Sequence, residues 1–289
     1  MNYKEIVENL VNKGADNIKN KTVILNDDKP ILEKEDFDVV EGKPKYFGID
    51  KLGRIIGGIA LISKNTIPLI TDKELEYPRP YGWNKKIEKV KGIFESCHII
   101  AYNLSAQNTT KENLFIGTND LNTSLMKNIE NDVNKYIKNN NFNVIYKVTI
   151  KYKGTDQIPM GILIEAQSIG GDFNSCKFCY NIERYIKFDY SDGNIIYDHR
   201  YLEKANTILK NIKNKIIVKS NKKENAKNTK QNYVLNINTK ECHYSEECEK
   251  LKNVEPKYIQ GTRTTEQVVL DNEFKMCNKC KSSIDKNKY

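Results

Sequence analysis

The sequence predicts an α+β protein with a small cysteine-rich region near its C-terminal end. Short apolar runs with strand-like spacing are separated by turn residues between about residues 21 and 197, a pattern typical of β-structure. One long amphipathic pattern interrupts these runs, and a strongly polar segment separates them from the last four cysteines. These observations favour a main domain of mixed helix and sheet, a linker and a small C-terminal module.

The strands are predicted from apolar and β-branched runs. Four segments carry this pattern, at residues 22–25, 54–62, 143–152 and 161–166. In the third segment every second residue is apolar and falls on one face of a strand: Val144, Tyr146, Val148, Ile150 and Tyr152. Such alternation predicts a half-buried strand.

Helices are predicted where apolar residues recur every three or four positions. The main helix carries Leu125, Ile129, Val133 and Ile137 at steps of four. Asn122 stands where an N-cap residue is expected, and the asparagines at 139–141 mark the end of the helix. A short leading helix is indicated by Ile6, Leu10 and Val11, and a later helix spans about residues 202–212.

These elements predict four segments along the chain. They are a helical extension (1–20), the main domain (21–200), a helix with a basic linker (201–231) and the C-terminal module (232–289). The linker is predicted because residues 219–232 are too polar to pack into a core.

The charge is uneven along the chain. Residues 201–289 hold 18 lysines and one arginine against 11 acidic residues, which accounts for eight of the nine net positive charges. A basic segment suits a polyanionic partner, although a solvated lysine-rich surface explains it equally well. No run of about 20 apolar residues predicts a membrane span, and no signal peptide is recognised. A cytoplasmic location is therefore expected, with leaderless export left open and the oligomeric state not predicted.

His98 is the first candidate for catalysis. It lies at the end of a predicted strand, ahead of the helix that begins near Asn122 and carries Glu130 eight residues further on. A base, an amide and a carboxylate so placed could face one hydrated cation. Without further information, a histidine placed like His98 is more often a packed structural residue, and an asparagine placed like Asn122 is more often a helix cap.

Several sequence blocks in order carry a family resemblance. They are Pro80-Tyr-Gly-Trp-Asn, Glu95-Ser-Cys-His-Ile-Ile-Ala-Tyr, Glu112-Asn-Leu-Phe-Ile-Gly-Thr-Asn-Asp-Leu-Asn, Ile129-Glu-Asn-Asp-Val and Val144-Ile-Tyr-Lys-Val-Thr. Over residues 22–197 the chain resembles the DNA/RNA non-specific endonuclease family of ββα-metal nucleases, which includes DNA-entry nucleases. The resemblance implies a mainly antiparallel sheet and hydrolysis of phosphodiester bonds in both DNA and RNA.

The resemblance also implies roles for individual residues. His98 matches the general base, and Asn122 matches the single protein ligand of a hydrated Mg²⁺, for which Mn²⁺ is the alternative. Glu130 matches a residue that orients the waters of that ion, and Asn113 matches an asparagine that supports the site. Arg54 matches a basic residue near the substrate phosphate, and an exposed strand-end charge is its alternative interpretation.

One residue departs from the family pattern. The motif typically reads Asp-Arg-Gly-His, whereas this chain has Glu95-Ser96-Cys97-His98. Ser96 therefore replaces an arginine that could contact phosphate. The alternative to an active nuclease is a nucleic-acid-binding protein that retains the fold but has weakened or lost catalysis. A toxin or defence effector held by an inhibitor protein is a further hypothesis about its biological role.

Cysteine spacing separates two sets of thiols. Cys176 and Cys179 have the spacing of a zinc knuckle, but in a strand residues three apart point to opposite faces, so two structural thiols are favoured. The C-terminal set comprises Cys242, His243, Cys248, Cys277 and Cys280. It resembles small Ada-like metal-binding modules and implies one structural Zn²⁺. Cys248, Cys277 and Cys280 are expected ligands, with His243 or Cys242 as the fourth.

Overall fold

The computed structural model describes most of the chain. The described residues are 3–15, 18, 20–68, 78–106, 110–196, 198, 202–211, 231–264, 269–270 and 272–280. Most of the predicted polar linker, residues 212–230, lies outside them. Within the described residues, no helix is long and apolar enough to cross a membrane.

A six-stranded antiparallel sheet forms the centre of the described main domain. Its spatial order is β1-β8-β7-β6-β3-β2. The strands are β1 (Thr22–Ile24), β2 (Lys45–Tyr46), β3 (Gly57–Ile62), β6 (Val144–Lys151), β7 (Gly161–Ser168) and β8 (Asn174–Tyr180). The four predicted strand segments all contribute to this sheet, which confirms the α+β class and its mainly antiparallel arrangement.

The two faces of the sheet are covered by different helices. On one face, four alternating residues of β6, together with Tyr152 just after it, pack into a large apolar cluster with helix α4 (Lys127–Asn139). On the other face, helix α1 (Tyr3–Lys13) buries Tyr3, Val7 and Val11 against β7 and β8. The Tyr3 hydroxyl donates a hydrogen bond of 2.5 Å to buried Glu165 of β7. The leading helix therefore covers the back of the sheet.

A β-hairpin and a helix connect β3 to β6. The elements in this segment are α2 (Lys85–Lys89), β4 (Phe94–His98), α3 (Tyr102–Ser105), β5 (Leu114–Thr118), a π-helical turn (Leu121–Met126) and α4. Strands β4 and β5 pair with each other in antiparallel register. A third apolar cluster covers the other side of the hairpin and includes residues near β9 (Lys187–Phe188), β10 (Ile195–Ile196) and the helical residues 202–211.

The C-terminal module, residues 231–280, has its own sheet. Its strand order is β13-β11-β12-β14, formed by β11 (Gln231–Asn236), β12 (Glu241–His243), β13 (Ile259–Thr264) and β14 (Lys275–Met276). The module contacts the main domain beside α3. The Tyr102 hydroxyl donates to the Gly261 carbonyl over 2.8 Å, and buried Gln260 donates to the Asn65 carbonyl over 2.8 Å.

Candidate active site and cysteine-histidine cluster

The β4-β5 hairpin holds His98 at its edge. His98 ends β4, pairs with Leu114 and is half-buried. Its neighbour Cys97 points into the apolar cluster under the sheet and is fully buried. A Cβ at Gly117 would come within 2.4 Å of the Cys97 Sγ, so only glycine allows this close packing. The hairpin is therefore fixed by packing on the side away from solvent.

Asn113 fixes the chain that follows His98. Its side chain is 1% exposed and forms both possible amide hydrogen bonds with Ile100. The Oδ1 atom accepts from the Ile100 amide over 2.8 Å, and Nδ2 donates to the Ile100 carbonyl over 3.0 Å. The Asn113 carbonyl also accepts from the Ile99 amide over 2.9 Å. Asn113 thus holds the segment next to His98 in place, and its supporting role in catalysis stays a prediction.

The start of the helix differs from the sequence prediction. Thr118, the last residue of β5, accepts a hydrogen bond from the Leu121 amide through Oγ1 over 3.2 Å. Asn122 lies inside the π-helical turn, so the prediction that Asn122 caps the helix is wrong. The helical segment begins earlier in the chain than Asn122, and the Thr118 hydroxyl binds an amide of its first turn. Such π-helical turns occur often at functional sites.

Asn122 is consequently available for another role. It is half-buried, and its side chain has no hydrogen-bond partner among the described residues. An amide oxygen is a suitable ligand for a hard cation such as Mg²⁺. The Asn122 amide oxygen is therefore better placed to bind a metal ion than to cap the helix.

Glu130 lies on α4, beneath the hairpin. It is 6% exposed, and burial raises its pKa to about 7, while the nearby Lys127 ammonium partly offsets that rise. Its charge acts on buried Cys97 and on Tyr146 of β6. The Tyr146 hydroxyl is itself buried without a hydrogen-bond partner among the described residues. Glu130, Cys97 and Tyr146 therefore form a buried group of titratable side chains where the hairpin, the helix and the sheet meet.

Arg54 is held in a structural network. Its Nε donates to Asp50 over 2.7 Å, and Nη1 donates to the carbonyls of Gly154 and Asp156 over 2.9 and 2.8 Å. The guanidinium also stacks over Tyr152, with 4.3 Å between its carbon and the ring centroid. Only 11% of the side chain is exposed. These contacts brace two loops, and contact with substrate phosphate stays a prediction.

The residue in place of the family arginine is uncharged and poorly exposed. Ser96 lies in the middle of β4, opposite Ile116. Its Oγ atom is buried and has no hydrogen-bond partner among the described residues. Position 96 therefore supplies no cation to a substrate.

The first cysteine pair is structural, as the strand spacing predicts. Cys176 and Cys179 both lie on β8 and are both fully buried. They belong to different apolar clusters on opposite faces of the sheet. Burial raises the pKa of Cys176 to about 12 and that of Cys179 to about 11. Both are therefore neutral thiols that fill core space.

The C-terminal cysteines form a compact cluster with a histidine. The candidate ligand atoms of His243, Cys248, Cys277 and Cys280 all lie within 4.8 Å of one another. In a tetrahedral zinc site with Zn–S bonds of about 2.3 Å, neighbouring sulfur atoms are about 3.8 Å apart. The Cys280 Sγ lies 3.9 Å from His243 Nδ1. Three thiols and one imidazole at this separation fit a closed zinc site.

The geometry distinguishes between the two proposed fourth ligands. Cys242 and His243 are neighbours on β12, so their side chains point to opposite faces. Cys242 lies in the module's apolar core with Leu235 and Met276. His243 faces the three other cysteines. Cys242 as the metal ligand is therefore not supported, and His243 completes the set.

The local electrostatics favour a thiolate at the start of the last Cys-x-x-Cys pair. Burial raises the pKa of Cys277, but hydrogen bonds from the Cys280 and Lys279 backbone amides lower it, and its pKa is lowered overall. The Lys250 and Lys279 ammonium groups also lie within electrostatic range of the cysteines. This environment suits the deprotonated sulfur that a metal requires.

A pair of cation–aromatic contacts near the hairpin was missed from the sequence. Lys111 Nζ lies 4.2 Å from the centre of the Tyr81 ring, and the Arg79 guanidinium lies 4.7 Å from that of Trp83. The aromatic residues of the Pro80-Tyr-Gly-Trp-Asn block could have indicated such contacts. Their cationic partner could not be found from the sequence, because Tyr81 and Lys111 are about 30 positions apart along the chain.

Comparison with known proteins identifies the main domain. Residues 35–170 match the family model of the DNA/RNA non-specific endonucleases. Two structures of NucA from Streptococcus agalactiae, one with no metal and one with a magnesium ion bound, are each 20% identical to this chain, with TM-scores of 0.54. They cover 68% of this chain and 96% and 95% of the NucA chains.

No curated protein sequence matches the chain. At 20% identity, the likeness to NucA establishes the fold. The family match covers the hairpin, the π-helical turn and α4, together with His98, Asn122 and Glu130. Residues 35–170 therefore form a domain that matches the DNA/RNA non-specific endonuclease family.

Proposed function

We propose that this nuclease hydrolyses phosphodiester bonds in DNA and RNA with little sequence preference and depends on Mg²⁺. The observation that carries the proposal is the hairpin and helix arrangement within the family match, with His98 at its edge and Asn122 in the π-helical turn. The magnesium-bound NucA structure adds support for the metal.

In this proposal His98 is the general base. Its imidazole accepts a proton from the water that attacks phosphorus. The Asn113 hydrogen bonds to Ile100 hold the chain beside His98, so the imidazole is presented from a rigid edge. Contacts mainly to phosphates, rather than to base edges, explain the low sequence preference.

Asn122 and Glu130 hold the cation side of the site. The Asn122 amide oxygen is the proposed direct ligand, and the Glu130 carboxylate orients the hydrating waters. A bound Mg²⁺ would offset negative charge on the phosphate and on the leaving oxygen. Because one protein oxygen suits an ion that retains most of its water, the donor set favours Mg²⁺, with Mn²⁺ as a substitute.

The test is cleavage of plasmid DNA and RNA by the purified full-length protein. We expect both substrates to be degraded with Mg²⁺ or Mn²⁺. A chelator should stop cleavage, and excess Mg²⁺ should restore it. Binding of both substrates without cleavage in any metal would instead support the inactive binding protein that Ser96 suggests.

For the C-terminal module we propose a structural Zn²⁺ held by His243, Cys248, Cys277 and Cys280. The cluster geometry supports this role, and four protein ligands leave no open position for catalysis. The basic residues that precede the module, at 201–231, would then assist binding to nucleic acid. Metal analysis of the full chain should give one zinc per protein molecule under reducing conditions.

A further inference from the structure

An aromatic loop packs directly on the catalytic hairpin. Gly82 lies between Tyr81 and Trp83 and has a φ of 77°. A Cβ at Gly82 would lie 3.5 Å from the Ile116 side chain, and Ile116 is the β5 residue paired with Ser96. Tyr81 and Trp83 therefore flank the contact between this loop and β5, the strand that pairs with the one carrying His98.

Lys111 brings a positive charge to the same place. It is exposed and opens the turn Lys111–Asn113, which leads into β5 beside His98. Its ammonium lies over the Tyr81 ring at 4.2 Å. Among the described residues Lys111 forms no salt bridge, and its exposed neighbour Glu112 lies within electrostatic range. Its charge is therefore available to an incoming anion.

Arg79 differs from Lys111 in this respect. Glu88 accepts a hydrogen bond from Arg79 Nη2 and one from the Trp83 indole nitrogen, each over 2.7 Å. The carboxylate thus offsets the Arg79 charge and fixes the orientation of the Trp83 ring. Arg79 acts as a support for the indole, whereas Lys111 is the open cation of this surface.

We infer that Tyr81, Trp83 and Lys111, which we call the aromatic strip, bind the substrate strand beside His98. Lys111 contacts a backbone phosphate, and the two rings offer stacking surfaces to bases. This inference rests on the proposed nuclease function. It also accounts for substrate binding without an arginine at position 96, because Lys111 supplies a cation on the neighbouring turn.

The strip fits a substrate of variable sequence. Every base has an aromatic face, so stacking on Tyr81 or Trp83 tolerates all sequences. A lysine acts on phosphate as a point charge and does not read bases. An exposed single strand, whose bases can leave their own stack, is the substrate class that uses both contacts.

The first test measures binding of a fluorescent single-stranded oligonucleotide to the full-length His98→Ala protein, which prevents cleavage during titration. We expect Lys111→Ala to weaken binding and to reduce the slope of log K against log salt by about 0.7, the value for one lost phosphate contact on a single strand. Lys111→Arg should preserve the slope. Lys13→Ala is the matched control, since Lys13 is also exposed and lies on α1 behind the sheet.

Equal salt slopes for Lys111→Ala and Lys13→Ala would overturn the phosphate contact. This result does not depend on catalytic activity, because binding is measured in the His98→Ala background. A failed cleavage assay would therefore reject the nuclease proposal without deciding the strip. Unchanged binding in Lys111→Ala would reject the strip even if cleavage is observed.

The second test uses the single tryptophan of the chain. Because Trp83 is the only tryptophan, intrinsic tryptophan fluorescence reports on the strip alone. Titration with an unlabelled single-stranded oligonucleotide should quench this fluorescence to saturation. Tyr81→Leu should weaken binding about fivefold or more, the effect of one lost stacking contact. Unaltered fluorescence at saturating oligonucleotide would overturn the stacking role.

Discussion

The candidate active site and the C-terminal cluster are held in place by different means. The hairpin with His98 lies between two large apolar clusters, so packing and the buried Asn113 hydrogen bonds position it. The described core of the C-terminal module has six buried members, two of them Cys242 and Met276. A core of that size supplies little stability, so a metal on the four clustered ligands is expected to contribute much of it.

Because of this difference, substitutions in the hairpin and in the C-terminal module should affect different properties of the protein. Replacing a polar residue at the edge of the hairpin should change turnover and leave the fold intact. Replacing a ligand in the module should change the fold of the module and leave the hairpin intact. Ordered by their expected effect on cleavage, the following substitutions test that separation.

His98→Ala should have the largest effect. Removing a general base typically lowers the rate by about 10² to 10⁴. His98 is half-buried at a strand end, so its removal should shift the melting temperature little. Initial rates on plasmid DNA, with thermal melting of the same samples, check both expectations. Turnover close to that of the unaltered protein would remove His98 from the mechanism.

Asn122 and Glu130 should differ from each other. Asn122→Ala removes the proposed direct ligand, so activity should be almost lost even at high Mg²⁺. Glu130→Gln, which keeps the volume of this buried side chain, should slow the enzyme about 10- to 100-fold, as is common for residues that act through a ligand's waters. Rates measured across a Mg²⁺ series should show partial rescue for Glu130→Gln alone.

A substitution at Thr118 serves as the control for the stability of the helical segment that carries Asn122. Since Thr118 rather than Asn122 binds the first turn, Thr118→Val should lower stability by about 0.5–2 kcal/mol, the usual effect of a lost cap. Its activity should fall only as its stability falls. If Asn122→Ala lowers melting temperature and activity in the same proportion as Thr118→Val, Asn122 is not a metal ligand.

Much of the fold could be predicted from local patterns. The alternation in residues 144–152 correctly placed one face of β6 in the core, and the steps of four in α4 correctly gave its buried face. These predictions succeed because each pattern repeats over many residues. The cap prediction failed because it depended on one side chain, and the helical segment begins before Asn122, where Thr118 accepts a hydrogen bond from the Leu121 amide.

The sites were less accessible to sequence analysis. Residue spacing could not choose between Cys242 and His243, because the choice depends on which face of β12 meets Leu235 in the module core. The roles of His98 and Asn122 required the family resemblance, since a histidine and an asparagine are common in other settings. The pairing of Lys111 with Tyr81 depends on how a distant loop packs on Ile116.

The smallest effect on cleavage is expected in the module, where His243 and Cys242 provide a matched pair. His243→Ala should lose zinc and lower the melting temperature of the module, because three thiols leave the metal an open position. Cys242→Ala should keep one zinc per chain and lose only core packing, since Cys242 lies away from the cluster. His243→Cys should restore zinc binding as a four-cysteine site.

The zinc content of the full-length variants decides which residue is the fourth ligand. Zinc loss in Cys242→Ala with retention in His243→Ala would reverse the assignment. Cleavage by the main domain should change least in all three variants, because its hairpin is held by an apolar core that does not include the cluster.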